Sequence, residues 1–242
     1  MDQLRILFGV TCCVLLAVLP ARAEPVDMLL CLAADVSESV SESEYALQRM
    51  GHAAAVEDPD VVRAISGGLH GRIAISYVEW ADQLQQFTGV DWHVVGDQAS
   101  AAGFAEKIRR SPPPPWIGWT VRNTSIAEVI RFCMRQFRDA PVVGGRMVID
   151  ISSDGTNNVG GRIHEARDFA VSNGVVINAL AIEDAFDSFP NGTHTRPEGG
   201  LANYFRASVV GGPGAFVQSA RGYASFGEMI REKFILELAS AE

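Results

Sequence analysis

Six strand-like runs, most of them continuously apolar, recur along the chain with helical patterns between them, and this alternation restricts the fold more than any other feature. The runs cover residues 28–34, 72–80, 91–95, 146–152, 175–182 and 215–218. Helical patterns fall at 42–57, 60–66, 99–109, 125–138, 162–173, 201–209 and 225–238. A strand covered on both faces reads as a continuous apolar run, whereas a half-exposed antiparallel strand alternates. The expected fold is therefore α/β: a doubly wound, mostly parallel, Rossmann-like six-stranded sheet with helices on both faces. Ligand sites in such sheets lie beyond the carboxyl ends of the strands, near the point where the strand order reverses.

The first residues read as a secretory leader. Met1-Asp-Gln-Leu-Arg5 precedes an apolar stretch over 6–19, and Ala21-Arg-Ala23 supplies small residues before a cut at Glu24. A lipoprotein reading through Cys12 or Cys13 is a minor alternative, because Val-Thr does not resemble a lipidation context at Cys12. The apolar stretch is short against the roughly 20 residues of a membrane span, and no later segment competes. The expectation is signal peptide 1–23 and one domain over 24–242, periplasmic or secreted, with no transmembrane segment after cleavage.

The whole chain carries a formal charge of −9; removing Arg5, Arg22 and Asp2 with the leader leaves 18 Lys+Arg against 28 Asp+Glu. No basic footprint is present, which argues against nucleic acid as a partner. Beyond the leader only Cys31 and Cys133 remain. An oxidising compartment permits a bridge between them, and two buried free thiols are the plainer reading, since the spacing alone does not fix the Cα separation a disulfide needs.

The first apolar run ends in Asp35-Val-Ser37-Glu-Ser39, a carboxylate and two hydroxyls on one short loop. Hard cations such as magnesium take oxygen donors of this kind. The fourth run ends in the same way, at Asp154-Gly155. Adjacent strand ends would bring Asp35 and Asp154 together, and a divalent cation between two carboxylates removes their repulsion. Asp150, earlier in the same run, either points away or is buried with a partner of its own. Each piece has a plain explanation by itself: Ser41 with Glu44 forms a capping box after the first loop, and Asp-Gly is a common turn.

Taken together, Asp-x-Ser-x-Ser at 35–39, a threonine before the middle helix and Asp-Gly at 154–155 resemble a von Willebrand factor type A (VWA) domain with a metal-ion-dependent adhesion site. Asp154-Gly-Thr-Asn-Asn, Asn203-Tyr-Phe-Arg and Val210-Gly-Gly-Pro-Gly-Ala-Phe further resemble exported bacterial proteins of this type with no assigned function, the DUF1194 group. The resemblance implies Mg2+, with Mn2+ or Ca2+ as substitutes, at Asp35, Ser37, Ser39, Thr124 and Asp154. It implies a coordination position left for a glutamate or aspartate of a protein or peptide partner, and no catalysis. Thr120 competes with Thr124. Ser125 and Glu128 have capping-box spacing, which starts the helix at Ser125 and leaves Thr124 in the loop before it. Glu38 places an extra acid beside the site and either tunes ligand choice or faces water.

Two other readings stay open: a metal-dependent hydrolase on the same cluster, and an envelope scaffold in which metal only stiffens the loops. His52, His70, His93, His164 and His194 show no short zinc spacing, and no Gly-x-Ser-x-Gly elbow is present. Gly211-Gly-Pro-Gly reads as a turn into the last strand, not a phosphate loop. Pro112 to Pro115 read as a stiff surface connection, and Asn123 and Asn191 match the glycosylation pattern as a short motif does by chance. Trp116 and Trp119 flank the threonine loop as candidates for a partner surface.

Overall fold

The computed structural model describes residues 25–118, 123–183 and 197–239. The expected leader, Thr120, Trp119, Asn191 and His194 lie outside the described residues. The elements run β1 (Pro25–Asp35), α1 (Glu42–Glu57), α2 (Pro59–Ser66), β2 (Ile73–Trp80), β3 (Gln86–Val95), α3 (Gln98–Arg110), α4 (Ile126–Arg138), β4 (Val143–Ser153), α5 (Ile163–Ser172), β5 (Val175–Ile182), α6 (Leu201–Tyr204), β6 (Val217–Ala220) and α7 (Phe226–Ala239). A π-helical turn, Phe205–Val209, continues α6.

The six strands are ordered β3-β2-β1-β4-β5-β6. All neighbours are parallel except β3, which runs antiparallel to β2 along the edge. Every residue of β2 and β5 is buried, as strands covered on both faces are. Strand β3 begins earlier than the apolar run at 91–95 suggests, because its first half, Gln86 to Gly89, is half-exposed and pairs only with β2.

Period-two alternation divides the core into two layers. Leu30 and Leu32 of β1 join Val56, Phe104, Phe226 and Phe234 under α1, α3 and α7. Leu29, Cys31 and Ala33 join Ile130, Ile163 and Phe205 under α4, α5 and α6.

Cys31 and Cys133 face each other across the second layer and form a disulfide with Cα atoms 6.1 Å apart. This replaces the plainer expectation of two free thiols. Both cysteines are fully buried, and the bridge ties the central strand to α4 over 102 residues of sequence. Replacing both cysteines with alanine is expected to cost about 2–4 kcal/mol in urea unfolding, mainly by releasing the unfolded chain.

The chain leaves β1 for β2 on one side and returns to place β4 on the other side of β1. The strand order therefore reverses between β1 and β4. Their carboxyl ends lie next to each other, with Ala34 paired to Ser152. That crevice is where this architecture places ligands.

Candidate metal centre

Asp35 closes β1 and is fully buried. The Ser37 amide donates to Asp35 Oδ1 at 2.7 Å, and the Val40 amide donates to the Ser37 carbonyl at 3.0 Å, so the chain turns tightly through both serines. Helix α1 then starts on its own signals. The Glu44 amide donates to Ser41 Oγ at 3.3 Å, and the Ser41 amide donates to Glu44 Oε2 at 2.8 Å. Capping therefore uses Ser41 and Glu44, not Ser37 or Ser39.

Those two hydroxyls face each other at 3.3 Å, and Ser39 Oγ donates to Asp154 Oδ1 at 2.7 Å. The link joins the end of β1 to the end of β4. Burial, and then the nearby charge of Asp154, push the Asp35 carboxyl up to about 7, against hydrogen bonds from Ser153 and Ser37 that favour the carboxylate. Two acids in one desolvated crevice with hydroxyls turned toward them form an all-oxygen donor set. Such a set suits a hard divalent cation, whose charge would offset both carboxylates.

Thr124 is buried in the loop before α4. Its amide donates to Asn158 Oδ1 at 2.9 Å, and its carbonyl accepts from the Asn158 amide at 2.9 Å. A Cβ built on Gly155 would lie 3.1 Å from Thr124 Oγ1, so glycine lets the Asp154 turn approach the threonine hydroxyl. The structure thus brings Asp35, Ser37, Ser39, Thr124 and Asp154 to one end of the sheet.

Helix α4 starts at Ile126, one residue later than the capping-box spacing predicts. Ser125 is the N-cap of α4, but its side chain makes no capping bond. Its hydroxyl donates instead to the Val159 carbonyl at 3.0 Å, and Glu128 accepts from the Gly161 amide at 3.2 Å. Asn157 Oδ1 takes the Ala127 amide at 2.8 Å, so the loop after Asp154 caps the helix from outside.

Sequence reasoning missed the supporting residues. Ser153 Oγ donates to Asp35 Oδ2 and accepts the Gly155 amide at 3.1 Å, locking one carboxylate to the turn that carries the other. The fully buried Gln48 donates to the Asp35 carbonyl at 2.7 Å and accepts from Ser152 Oγ at 3.1 Å. Ser152-Ser153 immediately before Asp154 was the available signal; Gln48 on α1 offered none. Ser153→Ala should weaken the binding of any divalent cation held at Asp35 by about 10–100-fold, the usual effect of removing a residue that orients a metal ligand, as read by calorimetric titration.

Other candidates belong to the packing. Trp116 is buried with its ring 6.3 Å from that of Phe87, which takes it out of a partner surface. His52 is buried between Tyr77 and Phe226, and burial pushes its pKa down to about 4. Asp150 is buried and ion-paired with Lys233 of α7.

Residues 25–242 match the sequence profile of a family described as "Protein of unknown function (DUF1194)". No curated protein matches the sequence. Among solved structures the chain is similar to proximal thread matrix protein 1 from the mussel byssus, with TM-score 0.62 and 14% identity, covering 91% of this chain and 50% of that one. A form of the same mussel protein with a zinc-occupied MIDAS motif gives TM-score 0.58 and 15% identity over 91% of this chain and 50% of that one. The pilus adhesin SpaC of Lactobacillus rhamnosus GG gives 0.56 and 10% identity, over 87% of this chain and 31% of that one. The chain spans about half the length of the mussel protein. These likenesses establish the VWA-type fold.

Proposed function

The chain belongs to the DUF1194 family and has a VWA-type fold, and from that premise we propose that it is an exported, metal-dependent protein-binding module of the adhesion type. Asp35, Ser37, Ser39, Thr124 and Asp154 are the residues that would hold Mg2+, or Mn2+ or Ca2+ in its place. The bound cation supplies an electrophilic docking point for a glutamate or aspartate of a protein or peptide partner. The observation that carries this reading is the link from Ser39 Oγ to Asp154 Oδ1, which joins two buried strand ends through oxygen donors alone.

The chain's own residues set the ion's surroundings. Ser153 and Gln48 hold the Asp35 end, and Asn158 holds Thr124 against the Asp154 turn. Catalysis is not part of this reading. The zinc-occupied motif of the similar mussel protein supports a divalent ion in this fold. The buried Cys31–Cys133 bridge supports an oxidising compartment, periplasmic or extracellular, and no helix among the described residues is long and apolar enough to cross a membrane.

The test is partner capture from envelope extract by the immobilised protein, in magnesium and in EDTA. Partners retained in magnesium and released by EDTA are expected, with Thr124→Ala losing more of them than Thr120→Ala. Identical partners under both conditions would sink the proposal, and the reverse order of the threonines would move the ligand to Thr120.

A further inference from the structure

Two acids share one ammonium in the buried cluster under α7. Lys233 is fully buried, ion-paired with Asp150 of β4, and donates to Glu237 Oε1 at 2.8 Å. Asp150 and Glu237 are buried as deeply. One carboxylate balances one ammonium, and a second adds desolvation cost without a second positive charge. Arg146 donates to the Glu237 main-chain carbonyl at 3.1 Å, and burial keeps His52 of α1 neutral by pushing its pKa down to about 4. Asn178 Nδ2 donates to Glu237 Oε1 at 3.2 Å, and the Phe216 ring centre lies 5.4 Å from Lys233 Nζ.

The cluster therefore holds an amine, a carboxyl and a proton carrier together out of water. Nζ lies against the carboxyl group whose carbon it would attack, and Glu237 touches the same nitrogen. Groups fixed in this way reach effective concentrations of about 10⁵–10⁸ M. Burial, and then Asp150, push Glu237 up to about 7, where a carboxyl both takes and gives a proton near neutrality. An amide in place of the ion pair would remove two charges from an apolar layer.

We infer that Lys233 and Asp150 condense into an intramolecular isopeptide bond, Nζ to Cγ, with Glu237 as the catalytic residue that carries the proton. The ammonium passes one proton through Glu237 to Asp150, leaving a neutral amine against a neutral acid. The N–C bond forms, Glu237 moves a second proton from the nitrogen to the departing hydroxyl, the Cγ–O bond breaks and water leaves. One ammonium and one carboxylate become one amide and one water, and Glu237 ends as it began. Burial opposes the Lys233 charge, but the two carboxylates outweigh it and raise its pKa, so the neutral amine is a minor species and the bond forms slowly. Freshly folded protein holds the ion pair. The bond ties β4 to α7 on the face of the sheet opposite the Cys31–Cys133 bridge.

Intact mass spectrometry of the reduced full-length protein, just after folding and again after days at neutral pH, tests this. A species lighter by one water should accumulate with time and should not form in urea. Trypsin should leave Lys233 uncut in that species and release residues 147–162 joined to residues 232–242 as one branched peptide. Lys233→Arg keeps the cation without the nucleophile and should lose no water. Glu237→Gln should slow the loss by about 10²–10⁴-fold. Asp154-Gly155 can also lose water by closing to a succinimide, so the same loss in Lys233→Arg, or cleavage at Lys233 in the lighter species, overturns the inference. A wild-type mass that never changes overturns it too, whether or not the variants fold. A wild-type rate in Glu237→Gln overturns the assignment of the proton carrier.

Discussion

Asp35→Asn is expected to abolish the thermal stabilisation that magnesium gives the wild-type protein, while leaving the metal-free fold at least as stable. Asparagine keeps an acceptor for the Ser37 amide, and the Ser153 hydroxyl can turn to meet its amide group. What is lost is one of two negative charges in a desolvated crevice, where burial and Asp154 already push Asp35 up to about 7. Without metal that charge is a liability; with metal it is half of the compensation. A ligand at 100 times its dissociation constant stabilises by about 2.7 kcal/mol, so wild type should show a clear melting shift between EDTA and magnesium. A shift of equal size in Asp35→Asn would contradict the assignment.

Lys233→Met is expected to cost about 3–5 kcal/mol in urea unfolding, the usual result of breaking a buried ion pair from one side. Lys233 is fully buried on α7, ion-paired with Asp150 of β4 and with Glu237 Oε1 at 2.8 Å. Burial opposes its charge, and the two carboxylates outweigh burial and raise its pKa. Glu237 is pushed up to about 7 by burial and then by Asp150, against the pull of Lys233. A carboxyl with a raised folded-state pKa stabilises the fold below its ordinary value of 4.5, and that share is lost as pH rises through about 7. Removing Lys233 lifts the folded pKa further, so the deficit of Lys233→Met should stay level below about pH 6 and grow as pH rises through about 7 and beyond. A deficit that shrinks with pH would show that the triad is not charged as described.

The strands were legible because their burial is two-sided, and β5 matches its apolar run at both ends, Val175–Ile182. The edge strand was half legible: Gln86 to Gly89 are half-exposed and carry no apolar period, so only 91–95 stood out. Asp35, Ser37, Ser39 and Asp154 could be placed because each follows a strand whose end is marked by composition. Ser153, Gln48 and Asn158 could not, since their roles depend on which strands and loops become neighbours. The same holds for the disulfide. Cys31 and Cys133 pair only because β1 and α4 share a layer, a fact of tertiary packing. At Ser125 the capping signature was present, yet tertiary contacts won: the loop from Asn157 to Gly161 supplies the helix end, and Ser125 and Glu128 bond to that loop instead.

The central claim, that oxygens from three loops hold a divalent cation at the reversal of strand order, is met most directly by crystals soaked in manganese and measured at the manganese absorption edge. One anomalous peak within coordination distance of Ser37, Ser39 and Asp154 is predicted, absent in Asp35→Asn. No peak there, or a peak confined to another part of the chain, would contradict it.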